Sequence, residues 1–237
     1  MNLYLSSFRI GESGADLGKL RGTGKAFVVS NALDHSRNVE HCRNVRAREI
    51  EDLRQSGIVA ESLDLRKFFG KPQLLREHLE GATMLWVVGG NTFLLRRAMA
   101  QSGLDAFLAS KKEDSNFLYA GYSAGACVLS PSLEGIHLAD EPQAEADGYS
   151  GEVLWNGLGL IDYYFVPHFR CDHPESPAME DVVAFYDLKG VPYRTAADGQ
   201  VIIDKTHGSE HGGGDNSAAL RASALGKGSE SSAYAGG

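Results

Sequence analysis

The feature that most constrains this chain is a repeated change of hydrophobic period. Short runs in which nearly every residue is apolar give way, at a glycine or a capping residue, to longer segments in which apolar residues recur every three or four positions. A parallel strand buried on both faces needs a run of the first kind, and a helix with one face on a core gives a pattern of the second kind. The best-defined run is Thr83-Met84-Leu85-Trp86-Val87-Val88, which enters Gly89-Gly90-Asn91. Strands are expected at 2–6, 25–30, 58–64, 83–88, 116–120, 163–167 and 200–204, with Asp198-Gly199 as a hairpin turn before the last. Helices are expected from Ser36 or Asn38 to about 56, from Lys71-Pro72 onward, over 93–101 with Thr92 as the cap, over 104–111 and over 175–188. The alternation predicts an α/β fold with a mostly parallel sheet covered on both faces. One domain over 1–207 accommodates it, and 131–159 reads as a long connection of the kind that builds sites.

From about 208 to 237 the composition changes to Gly, Ser and Ala, including Gly212-Gly213-Gly214. Such a segment buries too little apolar surface to offset its ordering entropy and is expected to be disordered. The formal net charge of −8 argues against a nucleic-acid partner, which calls for a Lys/Arg surplus. Cys42, Cys127 and Cys171 are odd in number and have no metal-like spacing, as expected of reduced thiols. No signal-peptide pattern opens the chain, and no apolar run approaches the roughly 18 residues of a membrane helix. A cytoplasmic protein without metal or cofactor, acting on a small polar substrate or peptide, is the expectation.

Gly121-Tyr122-Ser123-Ala124-Gly125 lies between the strand expected at 116–120 and a small-residue helix start. This is the Gly-x-Ser-x-Gly nucleophile elbow in the context it requires. The glycines leave room for a tight turn that presents the Ser123 hydroxyl at the carboxyl edge of the sheet, where α/β folds bind ligands. The N–H of Ala124 would then face an oxygen turning negative in acyl transfer, and a second donor would come from the Val88-Gly89-Gly90-Asn91 loop. That loop lacks a following Gly-Lys-Ser/Thr, so it does not read as a phosphate loop. Cys127, one helical turn past Ser123, reads as packing.

A serine nucleophile needs a base. Among eight histidines, His168 is the candidate, because Val166-Pro167-His168-Phe169 puts it at a strand end on the same edge as Ser123. A carboxylate should orient it. Asp140, in Ala139-Asp140-Glu141-Pro142, gives the chain order Ser–Asp–His, with Glu141, Glu134, Asp147 and Asp172 as alternatives.

Three pieces taken in order resemble the peptidase E family of aspartyl dipeptidases, related to cyanophycinase. They are Gly89-Gly90-Asn91-Thr92-Phe93, Gly121-Tyr122-Ser123-Ala124-Gly125-Ala126 and Pro167-His168-Phe169. The resemblance spans roughly 1–205. It implies a three-layer sandwich of the class I glutamine amidotransferase type and hydrolysis of dipeptides with an N-terminal aspartate. Ser123 would be the nucleophile, His168 the base, and Gly90 and Ala124 the oxyanion donors. The family's acid lies near an Asn-Asp-x-Pro segment, to which Ala139-Asp140-Glu141-Pro142 is similar at a different spacing. Arg170, with a fork that fits a carboxylate, is the candidate for gripping the aspartyl side chain, and Asn91 is a further substrate-binding candidate. A homodimer is compatible with this reading.

Three rival readings follow from the same residues. A cyanophycinase-like hydrolase of β-aspartyl-arginine would favour a longer chain and a Gln where Pro167 stands. An α/β-hydrolase esterase would need an oxyanion loop of His-Gly-Gly-Gly type before the elbow, and none precedes Ser123. A small-molecule binding protein could have kept the fold without the chemistry.

Overall fold

A computed structural model describes residues 1–205. The segment expected to be disordered, 208–237, lies outside the described residues, as does His207. Apolar runs form the strands β1 (Asn2–Ser6), β2 (Lys25–Val29), β3 (Ala60–Leu63), β4 (Ala82–Val87), β5 (Leu118–Tyr122) and β8 (Val201–Asp204), joined in the order β3-β2-β4-β5-β1-β8. All neighbours are parallel except β8, which runs antiparallel to β1 at the edge. Two short parallel strands, β6 (Tyr164–Val166) and β7 (Tyr193–Thr195), form a second sheet.

Residue alternation within these strands builds two cores. Leu3, Leu5, Leu85, Val87 and Tyr119 face one side, and Tyr4, Met84, Trp86, Leu118 and Ala120 face the other. On the second side pack α1 (Gly14–Leu20) and α2 (Val39–Gln55) through Leu17, Leu20, Val45 and Leu53. On the first pack α3 (Pro72–His78), α4 (Thr92–Ser102), α5 (Leu104–Ser110), α6 (Ala124–Cys127) and α7 (Ser176–Lys189). The result is the expected three-layer α/β sandwich.

Local chemistry explains the element ends. Asn38 Oδ1 accepts the His41 N–H and starts α2. Asn91, one residue before the expected Thr92, caps α4 by accepting the Leu94 N–H at 2.8 Å. Gly103 and Gly190 close α4 and α7 in the left-handed conformation. β5 runs two residues further than expected, to Tyr122, so the serine turn follows the strand without a spacer.

Two elements had no readable sequence signal. Gly14 and Gly18 blur the period of α1, and β7 is three residues long. The hairpin expected at Asp198-Gly199 does not form. The flanking strands β7 and β8 pair in different sheets, so this turn crosses between them instead. Residues 131–159 carry a single 3-10 turn at Ile136–Leu138 and are otherwise loop, as expected.

Candidate active site

Strand pairing and hydrogen bonds bring five strand ends to one edge. Ser6 of β1 lies beside Tyr122 of β5 and beside Val201, the first residue of β8, while Val166 of β6 lies beside Thr195 of β7. Residues just past these positions therefore converge from 7, 123, 168 and 198. In a doubly covered sheet this is the edge that is free to bind.

Ser123 sits at φ 50°, ψ −119°, a conformation that a non-glycine residue adopts at a cost and that the surrounding turn must enforce. Its N–H donates to the Ser6 carbonyl at 3.3 Å, and its own carbonyl accepts the N–H groups of Ala126 and Cys127. Gly125 makes the turn possible: a Cβ there would lie 2.2 Å from the Val87 carbonyl oxygen. The Gly89-Gly90 loop at the end of β4 runs beside the serine, since a Cβ on Gly89 would meet the Ser123 Cβ at 3.0 Å. Gly90 has φ +140°, and a Cβ there would lie 2.5 Å from the Ala32 carbonyl oxygen. Neither the Gly90 nor the Ala124 N–H donates to another backbone group among the described residues.

His168 is 2% exposed and is held from both sides. Its backbone N–H donates to Ser7 Oγ at 2.7 Å, and its Nδ1 lies 2.7 Å from Asp198 Oδ1. Ser7 Oγ in turn donates to the same Asp198 oxygen at 2.7 Å. Phe8 bridges the two arms, edge-on to Tyr122 at 5.9 Å and to His168 at 6.1 Å between ring centroids. A carboxylate on Nδ1 favours the tautomer with the proton there, which leaves Nε2 to act as a base. Nε2 faces Glu175 Oε2 at 3.8 Å. Among the described residues Ser123 Oγ makes no hydrogen bond, not even as a cap to α6.

Burial lowers the His168 pKa, with the neighbouring His173 adding to the effect and the Asp198 hydrogen bond opposing it. Burial would raise Asp198, but hydrogen bonds from Ser7 and His168 outweigh it and hold the carboxyl below its ordinary value. The imidazole is thus kept neutral and the carboxylate beside it ionised near neutral pH. Cys127 is buried, with a thiol raised by that burial, which suits the packing role expected of it.

The remaining expected residues are placed differently. Asp140 does not touch His168: Asp140 Oδ2 accepts the Thr92 N–H at 2.8 Å at the start of α4, and burial raises its pKa to about 6. The residue sequence reasoning missed is Asp198. It had been absorbed into a turn, and its approach to His168 depends on the crossing between the two sheets. Ser7 carried no motif at all. Asn91 has its amide committed to the protein, capping α4 and donating to the Glu141 carbonyl at 2.8 Å. The Glu141 carbonyl therefore serves the loop. Arg170 is 72% exposed in its side chain, donates from Nε to Glu180 Oε1 at 2.9 Å and lies over the Phe169 ring. Its guanidinium is turned to α7 rather than to Ser123.

Among the described residues no helix is long and apolar enough to cross a membrane. Residues 37–208 match the model of peptidase family S51. An uncharacterized peptidase of Listeria innocua is 32% identical over 104 residues, 43% of this chain and 46% of that relative. Peptidase E of Salmonella arizonae is 32% identical over 99 residues, 42% of this chain and 39% of the relative. The chain thus spans about half or less of these two curated relatives. A crystal structure from Listeria monocytogenes EGD-e, of a protein provisionally called a peptidase E, superposes with a TM-score of 0.63. It covers 86% of this chain and 98% of that one at 19% identity, a likeness of fold. With a family model matched over most of its length, this chain belongs to peptidase family S51.

Proposed function

We propose that the chain is a serine peptidase of the peptidase E type that cleaves short peptides through an acyl-enzyme on Ser123. The observation that carries this reading is the pairing of a serine at φ 50° on a strand-to-helix turn with a buried histidine whose Nδ1 lies 2.7 Å from a carboxylate. In the reaction, Nε2 of His168 takes the Ser123 proton as Oγ attacks the scissile carbonyl. Asp198 stabilises the imidazolium, and the N–H groups of Gly90 and Ala124 donate to the oxyanion. The imidazolium then gives its proton to the departing amine. A water, deprotonated by His168, hydrolyses the ester and restores Ser123.

Asp198, rather than the expected Asp140, takes the orienting role on this reading, because it is the carboxylate within hydrogen-bond reach of Nδ1. The finer substrate, a dipeptide with an N-terminal aspartate, rests on the family resemblance. Arg170 is held by Glu180 through Nε, and its Nη groups are the ones that could serve an aspartyl carboxylate.

Hydrolysis of Asp-Leu beside Ala-Leu and Lys-Leu, with Ser123→Ala as the control, tests both levels. Preference for Asp-Leu, abolished in Ser123→Ala, is expected. Equal turnover of all three would remove the aspartyl specificity and leave the peptidase. Turnover that survives in Ser123→Ala would remove the serine mechanism.

A further inference from the structure

Three side chains with metal-ligating atoms, drawn from separate positions in the sequence, meet beside the base. His168, His173 and Asp198 place their donor atoms within 4.8 Å of one another. The two imidazoles stack with centroids 3.7 Å apart and planes 11° apart, and Asp198 Oδ1 is already 2.7 Å from His168 Nδ1. Two imidazoles and a carboxylate, with a fourth position open to water, form a donor set suited to tetrahedral zinc. We propose that this cluster binds a divalent transition-metal ion, zinc foremost, and that the bound ion switches the serine centre off.

The surroundings have the features such a site needs. Ser7 Oγ donates to Asp198 Oδ1, the outer contact that orients a ligating carboxylate. Backbone bonds from Ala196 N–H to the Val166 carbonyl and from Phe169 N–H to the Ala196 carbonyl fix the segments carrying His168 and Asp198. His173 lies on the half-exposed turn before α7, so it is the ligand free to adjust. Its Nδ1 accepts only the Glu175 N–H, at 3.2 Å. Zinc with bonds of about 2.1 Å sets donors roughly 3.5 Å apart, so the widest separation must close by about 1 Å. The His173 ring must also turn out of its stack on His168, because an imidazole's lone pair lies in the ring plane and parallel rings cannot share an ion. A turn residue can supply both movements. Glu175, near His168 Nε2 and half-exposed, adds negative charge beside the cluster.

Inhibition follows from where the proton goes. In the resting pair Nδ1 of His168 carries the proton and Nε2 is the base. Coordination uses the Nδ1 lone pair, so the ring's single proton moves to Nε2 and the ring stays neutral. Asp198 exchanges its hydrogen bond for a metal–oxygen bond. His173 binds through the nitrogen facing the ion and keeps its proton on the other. An imidazole protonated at Nε2 cannot accept the Ser123 proton. The inhibitory half of the proposal rests on the peptidase reading, whereas ion binding does not.

The test is titration of the metal-free full chain with Co²⁺, followed by visible absorption, and with Zn²⁺, followed by calorimetry. One strong site per chain is expected in the wild type and in Ser123→Ala, weakened at least tenfold in both His173→Ala and Asp198→Asn. Fluorophosphonate labelling of Ser123 should fall as zinc saturates the wild type and return with EDTA, and His173→Ala should need at least tenfold more zinc. No site in the wild type, or one of equal affinity in both variants, would overturn the proposal. If zinc binds and labelling of the metal-free chain is unaffected by it, the switch is refuted. If zinc binds but the metal-free chain neither labels nor hydrolyses peptide, the peptidase reading fails and the metal site stands.

Discussion

At the end of β5 the candidate nucleophile is made by five consecutive residues. At the end of β6 the candidate base depends on Ser7, 161 positions before it, and Asp198, 30 positions after it. The two arms also differ in how they are held. Ser123 is positioned by backbone, through a strained φ and a glycine packed against the Val87 carbonyl, whereas His168 is positioned by hydrogen bonds to the side chains of Ser7 and Asp198. A backbone device is local and tolerates little change. A side-chain network can lose a member and keep its fold.

The largest effect that sharpens this contrast is expected from Asp198→Asn. An amide at Nδ1 permits the wrong tautomer, so kcat should fall by roughly 10³-fold with KM and Tm little changed. Because Asp198 raises the His168 pKa, the acid limb of the rate profile should also move to lower pH in this variant. A loss of under tenfold would show that another carboxylate serves the base.

In the other arm, Gly125→Ala should act on the fold first. Its Cβ would meet the Val87 carbonyl oxygen at 2.2 Å, and relieving that overlap should cost about 1–3 kcal/mol of stability and displace Ser123. An unchanged Tm measured by thermal unfolding would mean that the turn is less tightly packed than described.

The smallest effect belongs to Asp140→Asn. Asp140 holds its proton up to about pH 6 in the folded chain, against 3.8 ordinarily. Below about pH 4 the group is protonated in folded and unfolded chains alike. The stability it contributes there is lost as pH rises through 6, because the unfolded chain ionises more readily. Asparagine removes that penalty and can still accept the Thr92 N–H. Tm should therefore rise relative to wild type at pH 8, with the difference vanishing near pH 4, while kcat changes less than about tenfold. Equal Tm differences at both pH values would contradict the placement of Asp140.

The same contrast explains what was legible in the sequence. Strands such as 83–88 announce themselves because parallel burial leaves nearly every residue apolar, and the elbow does so because its glycines and serine are adjacent. His168 was legible as a strand-end residue. Asp198 was not, because a carboxylate beside a glycine reads as a turn, and its partner is chosen by a crossing between sheets that no local pattern encodes. Asn91 is ambiguous in the same way, since a polar residue after a glycine pair suits a ligand and a helix cap equally, and its amide here caps α4 and donates to the Glu141 carbonyl. Asp140 matched a chain order rather than a contact.

In the proposed mechanism Ser123 is made nucleophilic by His168 as held by Asp198. The most direct measurement is the rate of fluorophosphonate adduct formation, with the site mapped by mass spectrometry, in the metal-free wild type, His168→Ala and Asp198→Asn. A single adduct on Ser123, formed at least about 10²-fold more slowly in both variants, is the result predicted. An adduct elsewhere, none at all, or equal rates in the three proteins would contradict it.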